Sequence, residues 1–396
     1  MSTAWFNLTH ECVLELLKLS SDVNERKPLE AAMRAHPRSA ARQTLGFMTR
    51  DNAENETRAV RAGDVEAVVA AMRARPHDEE PQGWAFEALI DMARGNLENQ
   101  NRARHAGAVD AVVAAMLAQP QSASIQHLAC GALGAMTNGN AENMIGSGAG
   151  GAVEAVVAAM RAHPQSEGLQ EEACGALLAM TRGHAENGAR AGSAGAVEAV
   201  VVAMLAHPQS AKIQQLAFAA LSAMTDGNVE NRTRAGAGGA VEAVVAAMRA
   251  HPQSRVVQSV ARQTLGSMTR DNAENQTREL HAGAVTAVVA AMLAQSHDEI
   301  AQGGACAALG DMTRGSAENR TRAGNVGAVE AVVAAMRAHP QSARIQHVAC
   351  EALGVMTDSN AENQTRAGAA GAVEAGAYTR SHFSSTSTLP SPYNPT

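Results

Sequence analysis

Apolar positions along this chain follow two interleaved helical spacings, and both return every 44 residues. The segment GAVEAVVAAM begins at Gly151, with close copies at Gly63, Gly107, Gly195, Gly239, Gly283 and Gly327 and a partial one at Gly371. Within it Val153, Val156, Val157 and Met160 stand at i, i+3, i+4 and i+7, which is one face of a helix. The spacing predicts a helix from Gly151 to Pro164, stopped by that proline and by Pro76, Pro120, Pro208, Pro252 and Pro340 in the sister copies. An acidic residue such as Glu154 occupies the first turn of most copies, where it meets the positive end of the helix dipole.

A second stripe runs through QEEACGALLAMTRG, Gln170 to Gly183, with Ala173, Leu177 and Met180 on one side. Its Leu and Met columns persist from Leu45 and Met48 to Leu353 and Met356, and they predict core. A polar phrase follows, NAENQTRAG in the copy at Asn272, where Asp271 or Asn272 is suited to cap a short helix. Asn recurs in it at Asn55, Asn99, Asn143, Asn187, Asn231, Asn275, Asn319 and Asn363. Some copies read Asn-x-Thr, the acceptor of glycans in secreted proteins. The expected role here is hydrogen bonding at the joint between repeats.

One such unit cannot stand alone. Burying about five large apolar side chains yields on the order of 10 kcal/mol, whereas ordering about forty residues costs several times that. Stacked repeats close the gap by sharing a one-dimensional core.

A short polar helix, a Gly-led second helix and the string NAEN…AGAVEAVVAAMRAHPQS…QEEACGALLAM together resemble armadillo repeats. HEAT repeats share the period but fit the Gly-led segment poorly. The resemblance covers roughly residues 28–375 and implies an all-α fold, a right-handed alpha-alpha superhelix (an armadillo-like alpha-solenoid) of eight 44-residue repeats. Residues 1–27 would form an N-terminal capping helix segment, and the Ser/Thr/Pro-rich tail 376–396 is expected to be disordered. The segments RAGSAG and MIGSGAGG stand where armadillo first helices usually carry apolar residues, so a short or frayed first helix and loosened joints are expected. Above the repeat lies a larger duplication: RQTLGFMTRDNAENETR at Arg42 returns at Arg262, 220 residues on.

Charge and candidate chemistry narrow the function. The net charge is −7, with acidic residues throughout, which argues against nucleic acid as a partner. No window holds the roughly 18 uninterrupted apolar residues of a membrane span. The N-terminus lacks a basic leader; the expected location is the cytoplasm or the nucleus. Cys130, Cys174, Cys306 and Cys350 share a column with Phe86 and Phe218, and with Arg42 and Arg262. They read as buried small side chains, one helix-packing distance apart and too far for disulfides. Gly146, Gly148 and Gly151 spell GxGxxG without a preceding strand or a later acidic partner, and read as a joint loop. His36, His163, His207, His251 and His339 each precede a proline; they cannot converge on a metal and read as solvated turn residues. No catalytic cluster rises above the repeat, so the chain reads as no enzyme, with no cofactor, metal or small-molecule substrate.

In armadillo proteins the last helix of each repeat lines a groove, where a Trp column and an Asn column hold an extended peptide. Matching that pattern places Gly175 and Ala179 in those columns, and the sister positions run through Glu87, Gly131, Ala219 and Ala307 without a Trp, and through Asp91, Ala135, Ala223 and Asp311 without an Asn. Peptide carriage of the nuclear-transport kind is therefore disfavoured. What remains on this face is charge: Glu87, Asp91 and Arg94 towards one end, Asp311, Arg314 and Glu351 towards the other. These are the candidate partner-binding residues of a non-catalytic scaffold or adaptor for another protein. The alternative is a recently amplified repeat array with no dedicated partner.

Overall fold

A computed structural model describes residues 64–375. The expected capping segment 1–27, the copy of the repeat around Arg42 and the tail 376–396 lie outside the described residues. Those described are helical and fall into two compact units that divide between Gly238 and Gly239.

The first unit opens with α1 (Asp64–Ala74) and α2 (Glu79–Ala93). Three triplets follow: α3 (Leu97–His105), α4 (Ala108–Ala118), α5 (Ala123–Thr137); α6 (Ala141–Ala149), α7 (Ala152–Ala162), α8 (Glu167–Thr181); α9 (Ala185–Ala194), α10 (Ala196–Ala206), α11 (Ala211–Thr225). It closes with α12 (Val229–Ala237). The second unit contains α13 (Ala240–Ala250) and α14 (Arg255–Thr269), the triplets α15 (Ala273–Ala282), α16 (Ala284–Ala294), α17 (Glu299–Thr313) and α18 (Ala317–Asn325), α19 (Ala328–Ala338), α20 (Ala343–Thr357), and then α21 (Ala361–Ala369).

Each boundary has a local cause. The short helices start on a side-chain cap: Asn140 Oδ1 accepts from the Asn143 N–H at 3.1 Å. Of the two candidates at the later copy, Asn272 is the cap and Asp271 sits in the left-handed region at φ 53°. The middle helices start after a glycine at positive φ, 80° at Gly195, where α9 turns through 68° into α10. The long helices begin a turn before the predicted Gln170, because Ser166 and its sisters stop the preceding turn; Ser122 Oγ accepts from Ile125 N–H at 3.3 Å. Among the described residues no single helix is long and apolar enough to cross a membrane.

The Gly-rich first helices are short, nine or ten residues, but unbroken. Their glycines are dictated by packing. A Cβ on Gly148 would run into Oδ1 of Asn187, and one on Gly192 into Oδ1 of Asn231. The expected fraying is absent there because the next repeat's asparagine lies directly across the helix.

Val153, Val156, Met160, Leu177 and Met180 are all buried, as their columns predict. Cys130, Cys174 and Cys306 are buried too, with no disulfide. Burial pushes the Cys174 and Cys306 thiols up to about 12, so neither is a reactive thiolate. Cys350 departs from the expectation and is exposed: no described long helix packs over α20 on that side.

Candidate interaction surface and the joints between repeats

Two buried amide columns fix the helices, the asparagines between repeats and the glutamines within each repeat. Asn143 Nδ2 donates to Met136 O at 2.7 Å and to Gln100 O, one repeat back, at 2.8 Å. Asn187, Asn231 and Asn363 do the same across their own joints. Each asparagine thus ties the end of one long helix to the short helix of the repeat before it. These side chains are almost fully buried, which leaves no room for a glycan.

The second column, Gln82 to Gln346, was not singled out by the sequence pattern. Gln170 Nε2 donates to Met160 O and to His163 O, both at 2.9 Å, satisfying carbonyls that the end of α7 leaves open. A constant spacing of ten residues from the Met, repeat after repeat, was its only signal in the sequence.

The turn histidines also join repeats. His163 Nε2 donates to Pro120 O at 2.9 Å, His207 Nε2 to Pro164 O at 2.9 Å, and His339 Nε2 to Ser296 O at 3.0 Å. They are not merely solvated, as expected, because the preceding turn presents its carbonyl one layer away. The first-turn acids likewise gain a partner besides the helix dipole. Glu154 pairs with Arg190 at 3.5 Å, and Glu330 with Arg366 at 3.6 Å.

On the face of the long helices, Glu87 and Arg94 are exposed and Asp91 is half-buried. Arg94 and Arg182 line a shallow cleft of about 490 Å³ in the first unit, together with Gly131, Ala135, Glu172, Gly175 and Ala179. Gly175 and Ala179 therefore line open space, as the armadillo register implies. In the second unit the three candidates come together: Arg314 reaches Glu351 at 2.8 Å and Asp311 at 4.0 Å. All three are more than half exposed, so these pairs contribute about 1 kcal/mol or less. Among the described residues no group of three or more His, Cys, Asp or Glu is placed to hold a metal ion.

Short capped helix, glycine turn, middle helix and long helix, joined through a buried asparagine, define an armadillo-type alpha-solenoid repeat protein. The family model described as LRRK2 ARM repeat matches residues 65–353, and the chain belongs to that family. No curated protein matches it. Among solved structures it is similar to an engineered protein of the Northeast Structural Genomics Consortium (24% identity, TM-score 0.75, 92% of this chain and 85% of that one). It is also similar to a designed armadillo repeat protein solved with the peptide (KR)4 (23%, TM-score 0.51, 58% and 92%). A third is a structure from work on a phosphorylation switch between cadherin and β-catenin (15%, TM-score 0.66, 84% of this chain and 60% of that one). At these identities the likeness is one of fold.

Proposed function

We propose that this chain is a non-catalytic scaffold, in the cytoplasm or nucleus, that binds another protein along the exposed face of its long helices. The observation that carries this is the cleft of the first unit, lined by Gly131, Ala135, Gly175 and Ala179 with Arg94, Glu172 and Arg182. Nothing comes within 4 Å of the Cβ direction of Gly175, and the small side chains around it let a partner's backbone approach closely. Neither Glu87 nor Arg94 has a side-chain partner among the described residues, so both are available to a ligand. The absence of aromatic anchors in the cleft favours a broad contact over a compact clasp. Two similar folds come from work on protein or peptide contacts: a (KR)4 complex and the cadherin and β-catenin interaction. The Trp and Asn columns that would hold a basic peptide are missing here, and a peptide carrier is correspondingly disfavoured.

The test is affinity capture from the source cells followed by cross-linking mass spectrometry. A stoichiometric partner should cross-link to the long helices, and exchanging Glu87 for Lys together with Arg94 for Glu should lower its capture at least ten-fold. Cross-links confined to the middle helices, or capture unchanged by the double exchange, would refute the reading.

A further inference from the structure

The joint between α14 and α17, inside the second unit, is built unlike the other joints within either unit. At closed joints the long helices touch backbone to backbone: a Cβ on Gly310 of α17 would lie 3.3 Å from Ala352 Cα of α20, and one on Gly134 of α5 would lie 3.5 Å from Ala176 Cα of α8. Gly266 of α14 holds the same column, and nothing comes within 4 Å of its Cβ direction. The asparagine tie is also incomplete. Asn319 donates to Met312 O at 2.6 Å but makes no bond to the preceding short helix. On the middle-helix side the joint is intact, with Gln295 Nε2 donating to Pro252 O, one repeat back, at 2.7 Å. The repeats are therefore parted on their long-helix side only.

Two residues foreign to their columns stand in the gap. Arg262 takes the place that Cys130, Cys174 and Cys306 fill elsewhere. Glu279 takes a place held by Ala191, Ala235 and Ala323. Both line a cleft of about 650 Å³, the size of a small-ligand site, together with Gly304, Arg270, Asp311 and Arg314. Gly304 makes room for the arginine: a Cβ there would be 2.8 Å from Arg262 Nη2. Neither Arg262 nor Glu279 has a side-chain hydrogen bond or ion pair among the described residues, although Glu279 is more than nine-tenths buried. A buried carboxyl and a half-buried guanidinium that face one cleft without touching each other leave both sets of polar atoms to be satisfied by something else.

We propose that this inter-repeat cleft is a binding site for a carboxylate group, held by the Arg262 guanidinium and by the Glu279 carboxyl beside it. Arg262 and Glu279 stand outside the columns of the peptide groove, although Ala307 and Asp311 of those columns line the same cleft; the proposal does not rest on the scaffold reading. The cleft is a small-ligand site that the sequence pattern gave no reason to expect. The charge balance selects the ligand. Arg314 is already neutralised by Glu351 and Asp311, and Arg270 is engaged, so one free positive charge remains. A guanidinium fork matches a carboxylate, whereas a phosphate dianion would need more charge. Burial raises the Glu279 carboxyl to about 7, which keeps it protonated in mildly acidic solution. The other charged groups around it are accounted for. From α14 and the residue after it come Arg262 and Arg270, and from α17 and the residue after it Asp311 and Arg314. On α13, Glu242 pairs with Arg278, and Arg249 donates to Ala282 O; α16 carries no titratable group. Arg322 of α18 donates to Leu280 O. Above about pH 7 an ionised Glu279 repels the ligand, so binding weakens as pH rises.

The test is the side-chain Nε–H spectrum of 15N-arginine-labelled full-length protein, with the Arg262 signal assigned from Arg262→Lys. Propionate and the capped tripeptide acetyl-Gly-Glu-Gly-amide serve as free and protein-borne carboxylates, and inorganic phosphate as the competing anion. A saturable shift of Arg262 is expected at pH 6, with a midpoint at least ten-fold higher at pH 8, and whichever carboxylate binds more tightly identifies the source. Glu279→Gln should retain binding and lose the pH dependence. Arg262→Cys, which restores a residue the column accepts at Cys306, should stay folded and abolish binding. No saturable shift with either carboxylate would overturn the proposal. So would phosphate binding ten-fold tighter than both, or an unchanged pH dependence in Glu279→Gln.

Discussion

Single side chains decide which joints close. Asn143 bridges two carbonyls from different repeats, whereas Asn319, the same residue type in the same column, reaches one. The difference lies in its surroundings, where Arg262 and Glu279 replace small core residues. Glu279 makes this measurable. Its carboxyl rises from the ordinary 4.5 to about 7 because burial penalises the charged form. Between those two values the folded chain holds a proton that the unfolded chain has released. Stability attributable to this group therefore falls as pH rises from about 4.5 to about 7 and is flat above. Glu279→Ala should remove that slope, leaving the variant about 3 kcal/mol more stable than the parent at pH 8 and nearly equal to it at pH 4.5. Denaturant unfolding of both chains at the two pH values checks this; a difference independent of pH would contradict it.

At the scale of a helix, glycine has two opposite meanings in this chain. Gly192 lies where Asn231 crosses α9, and a methyl group there must push that asparagine off Gly188 O. Gly175 lies mid-helix in α8 with nothing within 4 Å. Gly175→Ala should stabilise by about 0.5–1 kcal/mol through helix propensity alone. Gly192→Ala gains the same propensity but should cost about 2 kcal/mol net, because it leaves a buried amide and carbonyl unpaired. Thermal melts of the two variants should move in opposite directions. The helices themselves were legible from periodicity: apolar spacing located the middle and long helices, and Asn and Gly marked the starts of the short and middle ones, while α8 begins after Ser166, a turn before the Gln170 that the spacing gave. What periodicity missed was the purpose of the polar columns. Gln170 reads as an interior polar residue until its two carbonyl partners on α7 are known. His163 reads as a turn residue until Pro120 O is seen beside it.

For the molecule, the governing fact is that no triplet owns a complete core. Val153 and Leu177 are fully buried, in a fold whose triplets pack on their neighbours through α4, α7 and α10 as well as through α5, α8 and α11. A fragment of α9–α11 alone, residues 185–225, should therefore show little helix by circular dichroism, while α3–α11, residues 97–225, should fold cooperatively. A stably helical single triplet would sink the shared-core account. The candidate surface was only partly legible at this scale. The sequence placed Glu87, Asp91, Arg94, Asp311, Arg314 and Glu351 on the long helices. It could not tell that the last three spend their charge on one another while Glu87 and Arg94 stay free, because ion pairing depends on distances between repeats.

The sequence alone determined the repeat, its 44-residue length, the faces that are buried and the residues that begin the short and middle helices. Those properties are local: they follow from spacing along one helix and from the conformational preferences of single residues. Only the tertiary structure decided which joints are closed and which is open. That outcome rests on whether side chains some forty residues apart, such as Gly310 and Ala352 or Gly266 and Ala308, come into contact. A one-residue change in a core column alters that distance without altering the helical pattern at all.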